Sequence, residues 1–400
     1  NYLAFGVFRE AAGDNARLFP SGVIVGDALS PPEPGRITED VKHSLYCSIT
    51  GLNPAEGETL PEPGKAGAYS WLKAPRYDGQ AMDYLSYIIA VEEVARVDGS
   101  QAATVAAGNS LGIGPIYYFG TEAQKKKYLP KLCRGEGLWG IGLTDPTAGS
   151  DAGGSKTTAD KDGKARVING SKIFITNAAC NLSMGVTVQA VTGQREGGRQ
   201  EYTCFLVEHG TPGFKAIEMH GKMMWRASNT AELYFDDVRV PAANVLGNVG
   251  DGFHQMLQTL DGGRLSIAAM GLGGAQGAYE MALKYAKSRE QFGQPVSKFQ
   301  AVAFKLADCA MELECGRNLL YKACWMRDRK KPFAKLAAMA KLYCSELMGR
   351  VANHAVQIHG GYGLMKDYHV ERFYRDQKLL DIGEGTSEVQ RLVISRYIGC

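Results

Sequence analysis

The sequence has little that would connect it to a metal, a disulfide framework, a membrane or a nucleic acid. Its nine cysteines include no Cys-x-x-Cys pair and its seven histidines show no metal-ligand spacing, so we expect reduced thiols and no metal. No stretch approaches the ~18 consecutive apolar residues of a membrane span, and no signal peptide is visible. A formal net charge of +3 is too small to indicate a nucleic-acid or membrane partner.

The composition is that of an ordinary globular protein. The chain has 400 residues, 45% of them hydrophobic and 22% charged, which predicts two or three structural units. Seven of the fifteen prolines fall within residues 1–65, and this density favours loops over long helices. No function is assigned to that segment.

The next part of the chain has helical patterns. Apolar residues recur at three- and four-residue steps from Tyr84 to Ala95, and residues 102–112 are rich in small side chains. Thr121 is a suitable N-cap for a short helix over 122–129. We expect an N-terminal helical domain over 1–134.

Residues 135–246 have the pattern of a β domain. Short β-branched or aromatic runs are separated by turn sequences at Asp162-Gly163, Asn169-Gly170 and 196–199, with no helical pattern between them. The predicted strands are 138–144, 165–168, 171–176, 184–192, 202–208 and 231–240. Short strands joined by tight turns predict an antiparallel sandwich or barrel.

From residue 247 to 400 the pattern is again helical, with long helices predicted over 253–288, 299–325 and 333–358. Long amphipathic helices with short connections predict a bundle. Four glycines within the first helix superficially resemble a dinucleotide fingerprint, but their spacing is wrong and no strand precedes them. We interpret them as sites of close helix packing: Gly271, Gly273, Gly274 and Gly277.

Four loops carry residues suited to binding a phosphate or an aromatic heterocycle. Residues 143–151, Leu-Thr-Asp-Pro-Thr-Ala-Gly-Ser-Asp, leave a strand with hydroxyls and small residues that expose backbone N–H groups, although such a loop is also found as a plain connection. Phe174 and Thr176 end a second strand. Arg289, whose guanidinium can form paired hydrogen bonds to pyrophosphate, precedes a turn between helices. Glycines at 360 and 361 close another helix.

Glu384 lies between Gly383 and Gly385, which keep neighbouring side chains away from its carboxylate. Thr386 is a suitable N-cap for the helix that follows. A carboxylate on such a loop suits a general base that removes a proton from an acidic C–H bond. A glutamate that simply faces water is the alternative interpretation of this stretch.

Together and in this order, these motifs resemble the acyl-CoA dehydrogenases, over about residues 84–400. The resemblance implies an α+β multidomain protein with an N-terminal helical domain, a middle β domain and a C-terminal four-helix bundle. It also implies an FAD flavoenzyme, a homotetramer built as a dimer of dimers, and an electron-transferring flavoprotein as electron acceptor. The location expected on this basis is a bacterial cytoplasm or the mitochondrial matrix.

The resemblance also implies roles for individual residues. Glu384 would be the catalytic base, taking the α-proton of an acyl-CoA while a β-hydride moves to flavin N5, to give a trans-2-enoyl-CoA. Some relatives place the base one residue before the arginine matched by Arg264, where this sequence has Gly263. The implied cofactor-binding residues are Leu143, Thr144, Gly149, Ser150, Phe174, Thr176, Arg289, Phe292, Gln300, Gln357, Gly360, Gly361, Thr386 and Glu388. The implied substrate-binding residues are Ser150, Asp261, Arg264, Gly383 and Gly385. Of the cofactor set, the FAD of a neighbouring subunit would contact Arg289, Gln300, Gln357, Gly360 and Gly361.

The sequence departs from the family pattern at several positions. Gly383 replaces a frequent tyrosine beside the base, and we expect the widened pocket to accept a branched or bulky acyl group. Phe174 replaces a frequent tryptophan as a tolerated ring exchange. Asp145 and Thr147 replace a commoner glutamate and glycine, with altered packing and no lost chemistry expected. Residues 1–65 do not show the helices expected of the family.

Other functions are compatible with the same fold. An acyl-CoA oxidase or an enoyl-CoA reductase would use the same base. A decarboxylating enzyme would need a cation for a distal carboxylate, which the sequence does not identify. A non-catalytic flavoprotein subunit is a further alternative, and the presence of both Glu384 and Arg264 argues against it.

Overall fold

The computed structural model describes residues 4–5, 23–24, 77–79 and 82–400. The expectations for residues 1–65 therefore lie outside the described residues, apart from two short strands. These are β1 (Ala4–Phe5) and β2 (Val23–Ile24), which pair antiparallel.

The helical pattern after residue 82 is confirmed. The elements are α1 (Tyr84–Ala95), α2 (Gly99–Ala107), a π-helical turn (Gly108–Ile113), α3 (Gly114–Phe119) and α4 (Glu122–Cys133). Thr121 forms a full capping box with Gln124, as its position predicts. Helix α4 continues past its predicted end, through Pro130, because Leu132 and Cys133 are buried and reward a further turn.

The middle domain is built on one eight-stranded sheet. Its strands are β3 (Leu138–Gly142), β4 (Thr158–Asp162), β5 (Ala165–Thr176), β6 (Ser183–Gln194), β7 (Gln200–Glu208), β8 (Phe214–Glu218), β9 (Thr230–Pro241) and β10 (Val245–Leu246). The order is β10-β7-β6-β4-β5-β9-β8, with β3 paired to β6. The pairs are mostly antiparallel as predicted, but β3 runs parallel to β6. The β4–β6 contact is also parallel.

Two details of the predicted sheet are wrong. Residues 165–168 and 171–176 belong to one continuous strand, β5, and Asn169-Gly170 lies at a shift of its register against β9. Gly170 has φ +138°, so the turn-like sequence produces a bulge in the strand. The strands β4 and β8 lack a strong β-branched pattern and were not predicted.

The C-terminal domain contains α5 (Gly252–Ser288), α6 (Gln300–Asp328), α7 (Ala334–His359), α8 (Val370–Ile382) and α9 (Ser387–Ile398). A hairpin of β11 (Glu290–Gln291) and β12 (Gln294–Pro295) follows α5. The three long helices agree with the predicted spans to within a few residues, whereas α8 was not predicted. Helices α5 to α8 pack together as a bundle.

The glycines of α5 mark where other helices approach, as expected. A Cβ at Gly273 or Gly277 would collide with the carbonyl oxygen of Glu92 or Arg96 on the α1 side. A Cβ at Gly271 would lie 2.6 Å from the Cys344 carbonyl oxygen of α7. These glycines thus allow two helices to touch the α5 backbone.

Candidate active site

Glu384 lies in the connection between α8 and α9, and its backbone is unusual. Its φ of +52° places a non-glycine residue in the left-handed region, and Gly385 follows with φ +92°. The Thr386 hydroxyl accepts a hydrogen bond of 3.2 Å from the Val389 N–H, which confirms the predicted cap of α9. The end of α8 and the start of α9 therefore fix both sides of this connection.

The Glu384 side chain turns inward, towards α5. Its Oε2 atom is buried with no hydrogen-bond partner, and burial raises the pKa of its carboxyl to about 7, against the opposing charges of Lys341 and Arg264. A Cβ on Gly263 would overlap this Oε2 atom. Glycine at 263 thus leaves the space that the Glu384 carboxylate occupies. A carboxyl with its pKa near neutrality and a free oxygen is equipped for proton transfer.

Arg264 and Asp261 form an ion pair on α5, one turn apart. Arg264 is buried, and its Nε atom has no hydrogen-bond partner. Burial raises the pKa of Asp261, against the charge of Arg264. The structure thus places the Asp261–Arg264 pair close enough to Glu384 for the charge of Arg264 to act on its carboxyl.

Lys341 of α7 is a residue of this site that the sequence analysis did not single out. It is fully buried, and its Nζ atom donates a 2.7 Å hydrogen bond to the Gly385 carbonyl oxygen. Burial lowers the pKa of Lys341 to about 8, against the charges of Glu384 and Asp381. The signal in the sequence is a lysine at a position that helical periodicity places on the buried face, between Ala337 and Cys344.

A second cluster lies at the ends of β3 and β5. The Thr144 carbonyl accepts a 2.9 Å hydrogen bond from the Ile173 N–H, and Lys172 donates to the Leu143 carbonyl over 3.1 Å. These bonds hold the loop that begins at Leu143 beside the segment with Phe174. Leu143 and Thr144 are half-buried, while Gly149 and Ser150 further along the loop are exposed.

Asp145 is the anchor of this loop. It forms a buried ion pair with Lys172 and accepts hydrogen bonds from the Thr157 N–H (3.1 Å) and the Ser155 hydroxyl (3.0 Å). Burial raises the pKa of Asp145, but the charge and hydrogen bond of Lys172 outweigh it and the pKa is lowered. The aspartate that departs from the family pattern therefore has a full set of partners, while Thr147 is exposed.

Phe174 fits a planar ligand beside this loop. Its φ is +62° and its side chain is 63% exposed, which is unusual for a phenylalanine at the end of a sheet strand. Thr176, two residues on, is half-buried. An exposed ring beside a loop whose backbone is held by hydrogen bonds suits an isoalloxazine ring.

A third cluster surrounds a pocket of about 450 Å³ at the ends of α5 and α7. Arg289 lines it together with Gly360 and Gly361, and the Arg289 guanidinium lies 5.8 Å from the centre of the Tyr362 ring. The open glycine backbone and the guanidinium suit a pyrophosphate or nucleotide. Phe292, Gln300 and Gln357 are exposed and are not among the residues that line this pocket.

A larger cavity, of about 560 Å³, lies beside α5, and Asp261, the ion-pair partner of Arg264, is part of its lining. Tyr84, Tyr118, Arg327 and Gly262 also line it. A Cβ on Gly262 would lie 2.7 Å from the Arg327 guanidinium, whereas one on Gly263 would overlap Glu384. Because consecutive helix positions point about 100° apart, Gly262 faces the cavity and Gly263 faces the Glu384 carboxylate.

Within 82–400 and the shorter described segments, no helix is long and apolar enough to cross a membrane. The same residues contain no group of three histidine, cysteine, aspartate or glutamate side chains placed to hold a metal ion.

Comparison with known proteins gives a consistent family. The models of the acyl-CoA dehydrogenase N-terminal, middle and C-terminal domains match residues 52–136, 140–238 and 250–399. The probable acyl-CoA dehydrogenase YngJ of Bacillus subtilis is 49% identical, over 90% of this chain and 94% of its own. Subunit CarC of the caffeyl-CoA reductase–Etf complex of Acetobacterium woodii is 42% identical, over 84% and 88%. The structure of butyryl-CoA dehydrogenase from Megasphaera elsdenii superposes with a TM-score of 0.80 at 44% identity, covering 83% and 87%.

Proposed function

This chain belongs to the acyl-CoA dehydrogenase family of FAD-dependent oxidoreductases, and we propose that it removes the α-proton of an acyl-CoA thioester with Glu384 and forms a trans-2-enoyl-CoA. The observation that carries this proposal is the Glu384 carboxyl, buried and with an unpartnered Oε2 atom. Burying a carboxylate oxygen without a hydrogen-bond partner costs free energy, so such an oxygen is typical of a functional site, where it is available to a ligand.

The chemistry of the proton step follows from the charges around the base. A thioester α-C–H is far less acidic than a carboxyl group, so a base with a raised pKa narrows the gap between the two. Burial raises the pKa of Glu384, while the positive charges of Lys341 and Arg264 limit the increase. The Glu384 backbone N–H is proposed to donate to the thioester oxygen and stabilise the enolate-like charge. FAD, when bound, supplies the acceptor for the hydride that leaves the β carbon.

The residues proposed to hold FAD lie in the cluster at the ends of β3 and β5, in and near the Arg289 pocket, and at the start of α9. Leu143, Thr144, Phe174 and Thr176 suit the ring system, with Gly149 and Ser150 further along the same loop. Arg289, Gly360 and Gly361 suit the diphosphate of the FAD bound to a neighbouring subunit. Phe292, Gln300 and Gln357, which are exposed but do not line that pocket, are proposed to contact the same FAD. Thr386 and Glu388 begin α9 beside the base.

A branched or bulky acyl group is proposed as substrate, because the absence of a side chain at Gly383 leaves space beside the base. The backbone at this position does not itself require glycine. Its φ of −68° is open to any residue, and an added Cβ would come no closer than 3.3 Å to another atom, the Leu379 carbonyl oxygen. The backbone conformation therefore does not account for glycine at position 383, whereas the φ of +92° at Gly385 favours glycine there. A larger side chain at 383 would narrow the space next to the base.

The electron acceptor is proposed to be an electron-transferring flavoprotein, which the relative in the Etf complex supports. That relative is named for the reduction of caffeyl-CoA, so the reverse reaction on a bulky enoyl thioester is the second candidate function. A homotetramer and a cytoplasmic or mitochondrial-matrix location are further proposals from the family resemblance.

An anaerobic titration tests the reaction and the substrate together. The visible spectrum of the FAD-bound protein is followed while n-butyryl, isobutyryl, isovaleryl, 2-methylbutyryl, octanoyl, glutaryl and aryl-propionyl CoA thioesters are added. Rapid bleaching by a branched or aryl thioester is expected, with slower bleaching after Gly383→Tyr. Fastest bleaching by butyryl or octanoyl thioester would contradict the proposed acyl group. No bleaching by any saturated thioester, with reoxidation of dithionite-reduced protein by an enoyl thioester, would favour the reductase.

A further inference from the structure

We propose that Lys341 and Gln390 are positioning residues that hold the backbone carbonyl groups beside Glu384 and thereby aim its carboxylate. This inference rests on the proposed role of Glu384 as the base. Lys341 lies on α7, far from Glu384 in sequence, whereas Gln390 lies on α9, six residues after Glu384.

Two side chains from different helices converge on the same peptide carbonyl. The Gly385 carbonyl oxygen accepts from Lys341 Nζ at 2.7 Å and from Gln390 Nε2 at 2.9 Å. Gln390 Nε2 also approaches the Glu384 carbonyl oxygen at 3.3 Å. Both side chains are fully buried, with a relative exposure of 0%. A carbonyl held from two directions has little freedom to rotate.

The backbone of the base needs such support. Glu384 has φ +52°, a left-handed conformation that is strained for a residue with a side chain. Other interactions must therefore maintain it. A Cβ on Gly385 would lie 2.7 Å from Gln390 Nε2, so this glycine also admits the amide to its place. If the two donors were lost, the Glu384 peptide would relax and its carboxylate would turn away from α5.

Lys341 adds a charge to the hydrogen bond. The charged groups around it and around Glu384 come from four helices: Arg264 from α5, Lys341 itself from α7, Asp381 from α8 and Glu388 from α9. Gln390 makes the same kind of contact without a charge. Comparing variants of the two residues therefore separates the effect of holding the carbonyl group from the effect of the positive charge of Lys341.

The test compares Lys341→Met and Gln390→Met with Lys335→Met, a half-buried lysine on the same helix. Three quantities are measured on FAD-bound protein: the unfolding temperature, kcat and KM with the thioester that bleaches the flavin fastest, and the pKa of Glu384. The pKa is obtained without turnover, from infrared difference spectra between each protein and its Glu384→Gln counterpart.

Both variants are expected to lower kcat about tenfold, with KM changed less than about twofold, since small misplacements of a catalytic group act on the chemical step. The pKa of Glu384 should rise in Lys341→Met, because a cation is lost, and change little in Gln390→Met. Lys335→Met should match the unsubstituted protein in all three quantities.

The proposal is overturned if both variants keep kcat within about twofold of the Lys335→Met protein. If Lys341→Met fails to fold, the Gln390→Met result alone decides. Failure of the base assignment is distinguishable, because Glu384→Gln would then still bleach at the unsubstituted rate. A slow Glu384→Gln protein together with fast Lys341→Met and Gln390→Met proteins would overturn only the positioning role.

Discussion

At the scale of single residues, the ionisation of Glu384 governs the reaction. Only the carboxylate form accepts a proton, and burial raises the pKa of this group to about 7. The rate of anaerobic flavin bleaching, at saturating thioester, should therefore rise with pH and level off above about 7. A stopped-flow pH series measures this. A rate that stays constant down to about pH 5, near the usual range for glutamate, would contradict the account.

The parts of this site that are local in sequence were predictable, and the rest were not. Two flanking glycines and a capping threonine mark Glu384 within a few residues of it. Lys341 acts on Gly385 from 44 positions earlier, so only the folded chain shows the contact. The sequence did show the lysine inside an apolar stripe, but a buried cation has no meaning until its partners are known.

At the scale of secondary-structure elements, the glycines of α5 set how closely the helices approach. Gly273→Ala should destabilise the protein by about 2–3 kcal/mol, because its methyl group would collide with the Glu92 carbonyl of α1 and backbone cannot move aside. Urea unfolding measures the change. Gly316→Ala on α6 is the control: its methyl would meet only side-chain atoms at 3.4 Å, so it should be neutral or stabilising. An equal loss of stability in the Gly273→Ala and Gly316→Ala proteins would contradict this explanation.

The Asp145–Lys172 pair connects the sheet to the loop that begins at Leu143. Removing one partner leaves a buried group uncompensated, so Asp145→Asn or Lys172→Met alone should cost about 3–5 kcal/mol and weaken FAD retention. The double substitution should recover part of the stability, because no lone charge remains. Unfolding curves and the flavin content after gel filtration check this. A double variant as unstable as the sum of the singles would show that the two groups do not interact.

The elements themselves were predicted unevenly, for physical reasons. Long helices with regular apolar periodicity were found to within a few residues. In contrast, β4 is short and mostly polar, and Asn169-Gly170 has the composition of a turn but lies within β5. Pairing with β9 over both halves of β5 outweighs the local preference for a turn. The sequence around a strand does not show which other strand will pair with it.

At the scale of the whole molecule, the order of a helical domain, a β domain and a helical bundle was readable from changes in periodicity. The spatial relation between the clusters around Glu384, Phe174 and Arg289 was not predictable from the sequence, because their residues are far apart in the chain and are brought together only by the fold. In the proposed assembly, the pocket around Arg289 serves the FAD of a neighbouring subunit, so each site combines the base of one chain with the arginine of another.

This arrangement predicts that two inactive variants restore each other. Arg289→Glu should lose FAD and Glu384→Gln should keep FAD without turnover. In hybrids purified after co-expression with two different tags, each pair of subunits that contains one copy of each variant would have one site with an intact Glu384 and an intact Arg289 and one site with neither. Measurable activity in the hybrids, with none in either parent, is expected. Hybrids as inactive as the parents would place both residues in the site of a single chain.

The most direct test of the central claim is the rate of anaerobic flavin bleaching in Glu384→Gln. The amide keeps the shape of the side chain but cannot take a proton, so FAD content and the visible spectrum should be unchanged while bleaching slows by about 10²–10⁴-fold or more. Glu346→Gln, which alters an ion pair with Arg391 on the partly exposed surface, is the matched control. Bleaching of the Glu384→Gln protein at the rate of the control would show that Glu384 is not the base.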